Sequence, residues 1–408
     1  MNCFNRFLRY IAIDTASNPT SATHPSSPGQ LILGQLLVEE LQTLGCENIR
    51  QTKEGYVYAT VPGNTNRKVP TVGFIAHLDT SPDMSGKDVH PRIIPSYDGQ
   101  DILLNEKENI ILKVSDFPHL KNRQNQTLLV TDGTTLLGAD NKAGIAEIMA
   151  LAETLMKNPT IEHGKVQIAF TPDEEIGQGS DFFDIPAFGA DFAFTVDGEE
   201  EGSFNFENFN AASAHIHIHG NNIHPGSAKG KMKHALLIAQ ELQQMLPVFE
   251  NPMFTENYEG FYHLNELQGT VENAKMHYII RHHDMVAFNK QKTLLNSIVT
   301  FLNEKYGAGT CQLFITDSYY NMASLVEKRM DIIELAKTAI RKENLLPIIK
   351  PIRGGTDGAR LTFDGLICPN LGTGGHNFHG KYEYITKEGM EKAANILLHI
   401  VEELSKEK

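Results

Sequence analysis

The 408-residue chain has no tryptophan and only four cysteines, Cys3, Cys46, Cys311 and Cys368, none in a Cys-x-x-Cys spacing. Thiols so scattered suit a reducing compartment and exclude a sulfur-ligated metal, so any metal here must use oxygen and imidazole ligands. No apolar run approaches the ~20 residues a membrane span needs. The first ten residues have neither the sustained apolar stretch nor the small-residue cleavage site of a secretion signal, so a cytoplasmic location is expected. Cations are in deficit, and the formal net charge of -14 disfavours a nucleic-acid partner, whose phosphates would be repelled. GxGxxG, Walker A, GxSxG and HExxH patterns are all missing, which removes the common dinucleotide, nucleotide, serine-hydrolase and zincin readings.

What is present is a set of ligand-type residues at the edges of apolar segments. Thr71-Val72-Gly73-Phe74-Ile75-Ala76 is a continuous apolar run, as in a strand buried on both faces, and it ends in His77-Leu78-Asp79. The stretch 166–171 reads as a second strand that meets Pro172 and then Asp173-Glu174-Glu175. A third, 192–196, empties into Asp197-Gly198. In open α/β sheets ligands bind beyond the carboxyl ends of the strands, so these three endings are expected to share one crevice. Asp140 reads as the N-cap of a helix whose apolar stripe is Ile145, Ile148, Met149, Leu155 and Met156. Taken singly, each residue has a structural explanation: a capping Asp, a solvated acidic turn, a hydrogen-bonded His. Their coincidence points to a metal site, because few other buried roles tolerate so many carboxylates without cations.

The length calls for two domains. Near residue 210 the texture changes: Ala214-His215-Ile216-His217-Ile218-His219 alternates as a half-exposed strand does. Helices at 231–246 and 285–303, and strands at 275–280 and 310–316, suggest a small α+β insertion. The domain order is therefore 1–208, an insertion at 209–318, and 319–408 returning to the first domain. The ladder His215, His217, His219 could grip a metal, but polar alternation on a wet strand explains it without one. Gly177-Gln178-Gly179 reads as a tight turn.

Seven segments in order, Ala76-His77-Leu78-Asp79-Thr80, Gly138-Ala139-Asp140-Asn141-Lys142-Ala143-Gly144, Asp173-Glu174-Glu175-Ile176-Gly177, Val196-Asp197-Gly198, His224-Pro225-Gly226-Ser227-Ala228-Lys229, Arg353-Gly354-Gly355-Thr356-Asp357-Gly358 and Asn377-Phe378-His379-Gly380, resemble the M20 metallopeptidases over nearly the whole chain. That resemblance implies an α/β catalytic domain with a mostly parallel sheet flanked by helices, interrupted by a lid of two helices on a four-stranded sheet through which a homodimer forms. It implies an aminopeptidase acting on tripeptides with a free N-terminus, with two zinc ions per subunit. By motif position, His77, Asp140 and Asp197 would hold one ion and Asp140, Glu175 and His379 the other, with Asp140 as bridge. Asp79 would orient the site from behind. Glu174 would be the general base, taking a proton from the attacking water and passing it to the leaving amine.

His224 resembles the lid residue that donates to the developing oxyanion, and Arg281 or Arg353 is a candidate for the peptide carboxylate, with a surface salt bridge as the plain alternative for each. A related dipeptidase or N-acyl amino acid deacylase, and a peptide binder that has lost catalysis, are the competing readings; an intact Glu174 weighs against the binder. Three positions depart from the family pattern: Asn141 and His282 stand where Asp is usual, and His234 where Asn is.

Overall fold

A computed structural model describes residues 2–406. The chain divides into two compact units, one of Met1–Phe206, Ser324–Lys350 and Thr356–Lys408, the other of Glu207–Ala323 and Pro351–Gly355. The expected junctions at 208/209 and 318/319 therefore fall at 206/207 and 323/324. The segment 351–355 joins the second unit, where Ile352 bridges Asn208 in parallel and the Phe209 N–H donates to the Gly354 carbonyl (3.3 Å). That pairing joins residues far apart in sequence and carries no local signal.

The first unit is built on a seven-stranded sheet in the order Glu47–Gln51, Val57–Val61, Val166–Thr171, Val72–His77, Phe192–Gly198, Asn370–Gly372, Phe204–Asn205. Its four central strands run parallel, and antiparallel pairs close both edges. All six residues of Val72–His77 are buried, which is why this strand reads as one apolar run rather than an alternation. Each large side chain so covered, such as Phe74 or Ile75, contributes about 1.5–3 kcal/mol by leaving water. A smaller antiparallel sheet pairs Gly375–His376, Tyr384–Thr386, Leu128–Val130 and Arg92–Ile94. Helix Lys387–Lys406 packs against both Ala139–Lys157 and Met330–Lys342. Gly144 lets helix Ala139–Lys157 approach the strand of Asp197: a Cβ there would lie 2.0 Å from the Val196 carbonyl oxygen.

One residue of that helix works against the fold. Glu147 is fully buried, and neither carboxylate oxygen has a hydrogen-bond partner among the described residues. Burial drives its carboxyl well above the usual carboxylate range, which favours the neutral form in the folded protein. We expect Glu147→Leu to raise stability by about 1–3 kcal/mol, the cost of an unmade buried hydrogen bond. The gain should depend on pH. Near pH 4 and below, both folded and unfolded wild type carry the proton; as pH rises, the unfolded chain releases it while the folded one keeps it, so wild-type stability falls and the variant's does not. Urea unfolding of both proteins at pH 4.5 and 7.5 measures this, and an advantage that does not widen with pH would contradict it.

The second unit is an antiparallel sheet in the order Phe261–Gly269, Asn273–His282, Asn210–His219, Cys311–Tyr319, with helices Ala235–Met245 and Met285–Tyr306. Ile216, Ile218, Ala239, Leu242, Met276, Tyr278, Leu295 and Ile298 lie in its single apolar core. The strand Phe261–Gly269 escapes a sequence reading because it is an edge strand, exposed over its second half and without clean alternation. The helix expected from 231 begins at Ala235 instead, since Lys233 pairs back onto Asn221. His234 is its N-cap and makes no side-chain capping bond. An Asn there would supply one, worth about 1 kcal/mol.

No described helix is long and apolar enough to cross a membrane. All four cysteines are buried free thiols, and burial pushes Cys3 up to about 12.

Candidate metal centre

In the first unit, parallel pairing aligns His77 with Thr171, so these two strands end level with each other. His77 is the last residue of its strand and Asp197 lies within Phe192–Gly198, one residue deeper than an exit position. Pairing with Asn370–Gly372 extends that strand through Gly198. Glu174 and Glu175 open a single turn of 3-10 helix after Asp173, whose left-handed backbone (φ 57) turns the chain sharply out of the sheet. Buried Asp173 is held there by Ser26 and Gln30. Gly177, also left-handed (φ 73), closes the turn by donating its N–H to the Glu174 carbonyl. His379 (φ 63) is carried by the loop after Gly375–His376.

Asp140 does not cap its helix. It and Asn141 have non-helical backbones inside the first turn, and the N-cap position is Gly138. Its carboxylate is taken up elsewhere: Oδ1 lies 2.9 Å from His77 Nε2 and Oδ2 lies 3.3 Å from His379 Nε2. His77 Nε2 is also 3.2 Å from Asp197 Oδ1, and His379 Nε2 is 3.1 Å from Glu175 Oε2. One carboxylate thus stands between two imidazoles, each of which has a further carboxylate of its own.

Asp79 braces this arrangement. Fully buried, it accepts the Glu174 N–H on one oxygen (3.0 Å) and the Glu175 N–H on the other (3.1 Å), and it faces His77 Nδ1 at 3.3 Å. One residue therefore fixes a ligand-type imidazole, whose Nδ1 lies 3.0 Å from the Asp79 backbone carbonyl, and through its side chain both members of the acidic pair.

Two supports were not read from the sequence. Glu383 is buried and accepts N–H groups from Leu137 (2.6 Å), Gly138 (2.9 Å) and Asp140 (3.1 Å), holding the non-helical bend in place. Its partners lie some 240 residues away, and its only local hint is its place just before the buried strand Tyr384–Thr386. Asn370 accepts from the Asp197 N–H (3.1 Å) and the Thr195 hydroxyl (2.9 Å). Asp357, quoted above only as part of a motif, is buried, accepts from Thr171 Oγ1 (2.8 Å), and rises to about 7 through burial. Asn141, the first departure from the family pattern, is fully buried with neither amide atom partnered among the described residues.

The electrostatics are those of a site short of positive charge. Burial pushes Glu175 up to about 7 and Asp197 up to about 6, Asp140 adding to both, and it drives Glu174 well above the usual carboxylate range. His379 rises to about 11 through its contacts with Asp140 and then Glu175. His77 loses charge stability to burial but is carried well above its ordinary value by Asp197 and its other carboxylate neighbours. Such a set suits hard or borderline cations: the donors are oxygen and imidazole only, and buried Glu175 Oε1 has no partner among the described residues. Two triads, His77, Glu174, Asp197 and His77, Asp140, Glu175, each bring ligand atoms within 4.8 Å of one another.

The three remaining expected residues belong to the second unit. His224 is exposed, its Nδ1 accepting the Gly226 N–H at 3.2 Å. Arg281 donates to the Arg353 carbonyl (3.1 Å). Among the described residues Arg353 forms no salt bridge: it donates to the carbonyls of Asn257 (2.8 Å), Glu259 (2.8 Å) and Thr255 (3.3 Å) and to the Thr255 hydroxyl (2.9 Å), packed against Phe209 and Phe261. Its guanidinium pins the 255–259 loop.

Residues 136–403 match the model of peptidase family M20/M25/M40. Peptidase T of Caldanaerobacter subterraneus subsp. tengcongensis is 57% identical over 397 residues, covering 97% of each chain. Among solved structures, an aminopeptidase from Bacillus cereus shares 20% identity at a TM-score of 0.78, over 99% of this chain and 98% of that one. A tripeptidase from Staphylococcus aureus likewise shares 20% identity at 0.79, over 100% and 98%.

Proposed function

This chain belongs to peptidase family M20/M25/M40 and is a peptide hydrolase, and from that premise we propose that it is a di-zinc aminopeptidase that removes the N-terminal residue of tripeptides. The observation that carries the reading is the position of Asp140, one oxygen toward His77 and the other toward His379. It supports two ligand sets that share one carboxylate: His77, Asp140 and Asp197 would hold one zinc ion, and Asp140, Glu175 and His379 the other. When bound, such a pair polarises a scissile carbonyl and makes a water easier to deprotonate.

Everything else falls to the chain's own groups. Glu174 lies beside His77 and Asp197 within ligand-atom reach, yet carries none of the Asp140 contacts; with cations beside it to hold it ionised, its carboxylate would take the proton of the attacking water and deliver it to the departing amine. Asp79 keeps Glu174 and Glu175 diverging from adjacent backbone positions. An acidic site also favours a substrate with a free α-amino group. His224 as oxyanion donor and Arg281 as carboxylate anchor are part of the proposal. Arg353 enters it as the residue that orders the 255–259 loop rather than as a direct partner of the substrate. A homodimer through the second unit and a cytoplasmic setting complete the reading.

The substrate claim is tested on zinc-loaded protein with unblocked peptides from di- to pentapeptide and an N-acetylated tripeptide, products identified by mass. We expect loss of the first residue from the free tripeptide alone. Cleavage of the dipeptide or the acetylated substrate would move the chain to a dipeptidase or deacylase reading, and no cleavage at all would favour a peptide binder.

A further inference from the structure

The histidine ladder of the second unit does not act as a ladder. His217 packs edge-on against Phe314 (5.7 Å), and His219 Nδ1 lies 3.2 Å from Asn273 Oδ1. His215 instead finds an imidazole on the neighbouring strand: His277 stands opposite it in register, the rings stacked at 4.4 Å and only 4° from parallel. Both Nε2 atoms turn to one hydroxyl, Ser213 Oγ, at 3.3 Å from His215 and 2.9 Å from His277. On the next strand Glu266 is paired opposite His277, and His263 is close enough to act on it electrostatically. These groups lie on the sheet face opposite the apolar core, and His215, His263 and Glu266 are exposed.

We propose that His215 and His277, with Ser213 between them and Glu266 completing the set, bind one borderline divalent transition ion of the Zn2+, Ni2+ or Cu2+ class. The two rings stand one over the other on a fixed antiparallel pair, so a rotation about each Cβ–Cγ bond is what turns both Nε2 lone pairs onto one ion. A carboxylate from the adjacent strand lowers the net charge of the bound state and needs only a side-chain rotation to reach the ion. Asn265 reaches His277 Nδ1 at 3.5 Å. With its amide turned over, its oxygen would accept the proton that a metal at Nε2 leaves on Nδ1, the outer contact that fixes a ligating imidazole. Oxygen-preferring Mg2+ and Ca2+ are excluded by the two imidazoles. The inference stands apart from the catalytic reading, because no residue of the catalytic centre takes part.

Equilibrium dialysis of the full chain against micromolar Zn2+, with metal counted per chain by mass spectrometry, tests it as a difference between variants. His215→Ala and His277→Ala should each hold one ion fewer than wild type, while His217→Ala and His219→Ala hold the wild-type number. Cu2+ added to zinc-loaded wild type should show an electron paramagnetic resonance signal split by two nitrogens, absent from His215→Ala. A thermal melt guards against misfolding: Ni2+ should raise the melting temperature of wild type more than that of His215→Ala. Equal metal counts in wild type, His215→Ala and His277→Ala would overturn the proposal, as would equal losses across all four variants, which would mean diffuse binding along the strand.

Discussion

Glu174→Gln should lower kcat by about 10²–10⁴-fold, the contribution of a positioned general base, while the metal content stays at the wild-type level. The two side chains have nearly the same shape, and the backbone N–H that Asp79 holds is untouched, so the turn Glu174–Ile176 should survive. What disappears is the ability to accept a proton from water. Asp140, Asp197 and Glu175 each pair with His77 or His379, whereas Glu174 pairs with neither among the described residues, so its carboxylate can be spared from holding ions. Steady-state kinetics on the free tripeptide, paired with metal analysis, checks both halves. Turnover within tenfold of wild type would remove Glu174 from the base role, and loss of metal would make it a ligand.

Asp140→Ala is expected to do the opposite: metal content falls for both ions together, and activity drops by more than about 10²-fold, exceeding the loss typical for an outer partner of a ligand. The reason is geometric. His77 and His379 each lose their contact to the same carboxylate, 2.9 Å and 3.3 Å away. Removing the shared group leaves His77 with Asp197 and His379 with Glu175, two weakened halves. If the variant kept one ion at full occupancy, the shared-ligand arrangement would be wrong. Metal content by mass spectrometry at graded zinc concentrations decides the matter.

Much of this centre could be read from the chain before folding, for a physical reason. A parallel sheet buries both faces, so its strands are unbroken apolar runs, and a polar residue at the carboxyl end stands out. His77, Glu174, Glu175 and Asp197 were legible in that way. Asp140 was legible as a site residue but not in its local form: helix-cap propensity favoured an ordinary cap, and tertiary contacts to His77, His379 and Glu383 won. His379 has no apolar run before it and was found by motif alone. Glu383 and Asn370 were not found, because what they do is accept N–H groups far away in sequence, and nothing near them records it.

In the second unit, periodicity gave the two helices and the alternating strand, but not the edge strand Phe261–Gly269 or the return of 351–355. The ladder shows the same limit. Spacing puts His215, His217 and His219 on one face, yet only the register of the neighbouring strand reveals which of them meets another imidazole.

The central claim is that Asp140 is shared between two bound metal ions. Anomalous diffraction at the zinc edge from crystals of zinc-loaded protein tests it most directly. The account predicts two peaks flanking the Asp140 carboxylate, one against His77 and Asp197 and the other against Glu175 and His379. A single peak, or two that leave Asp140 uncoordinated, would contradict it.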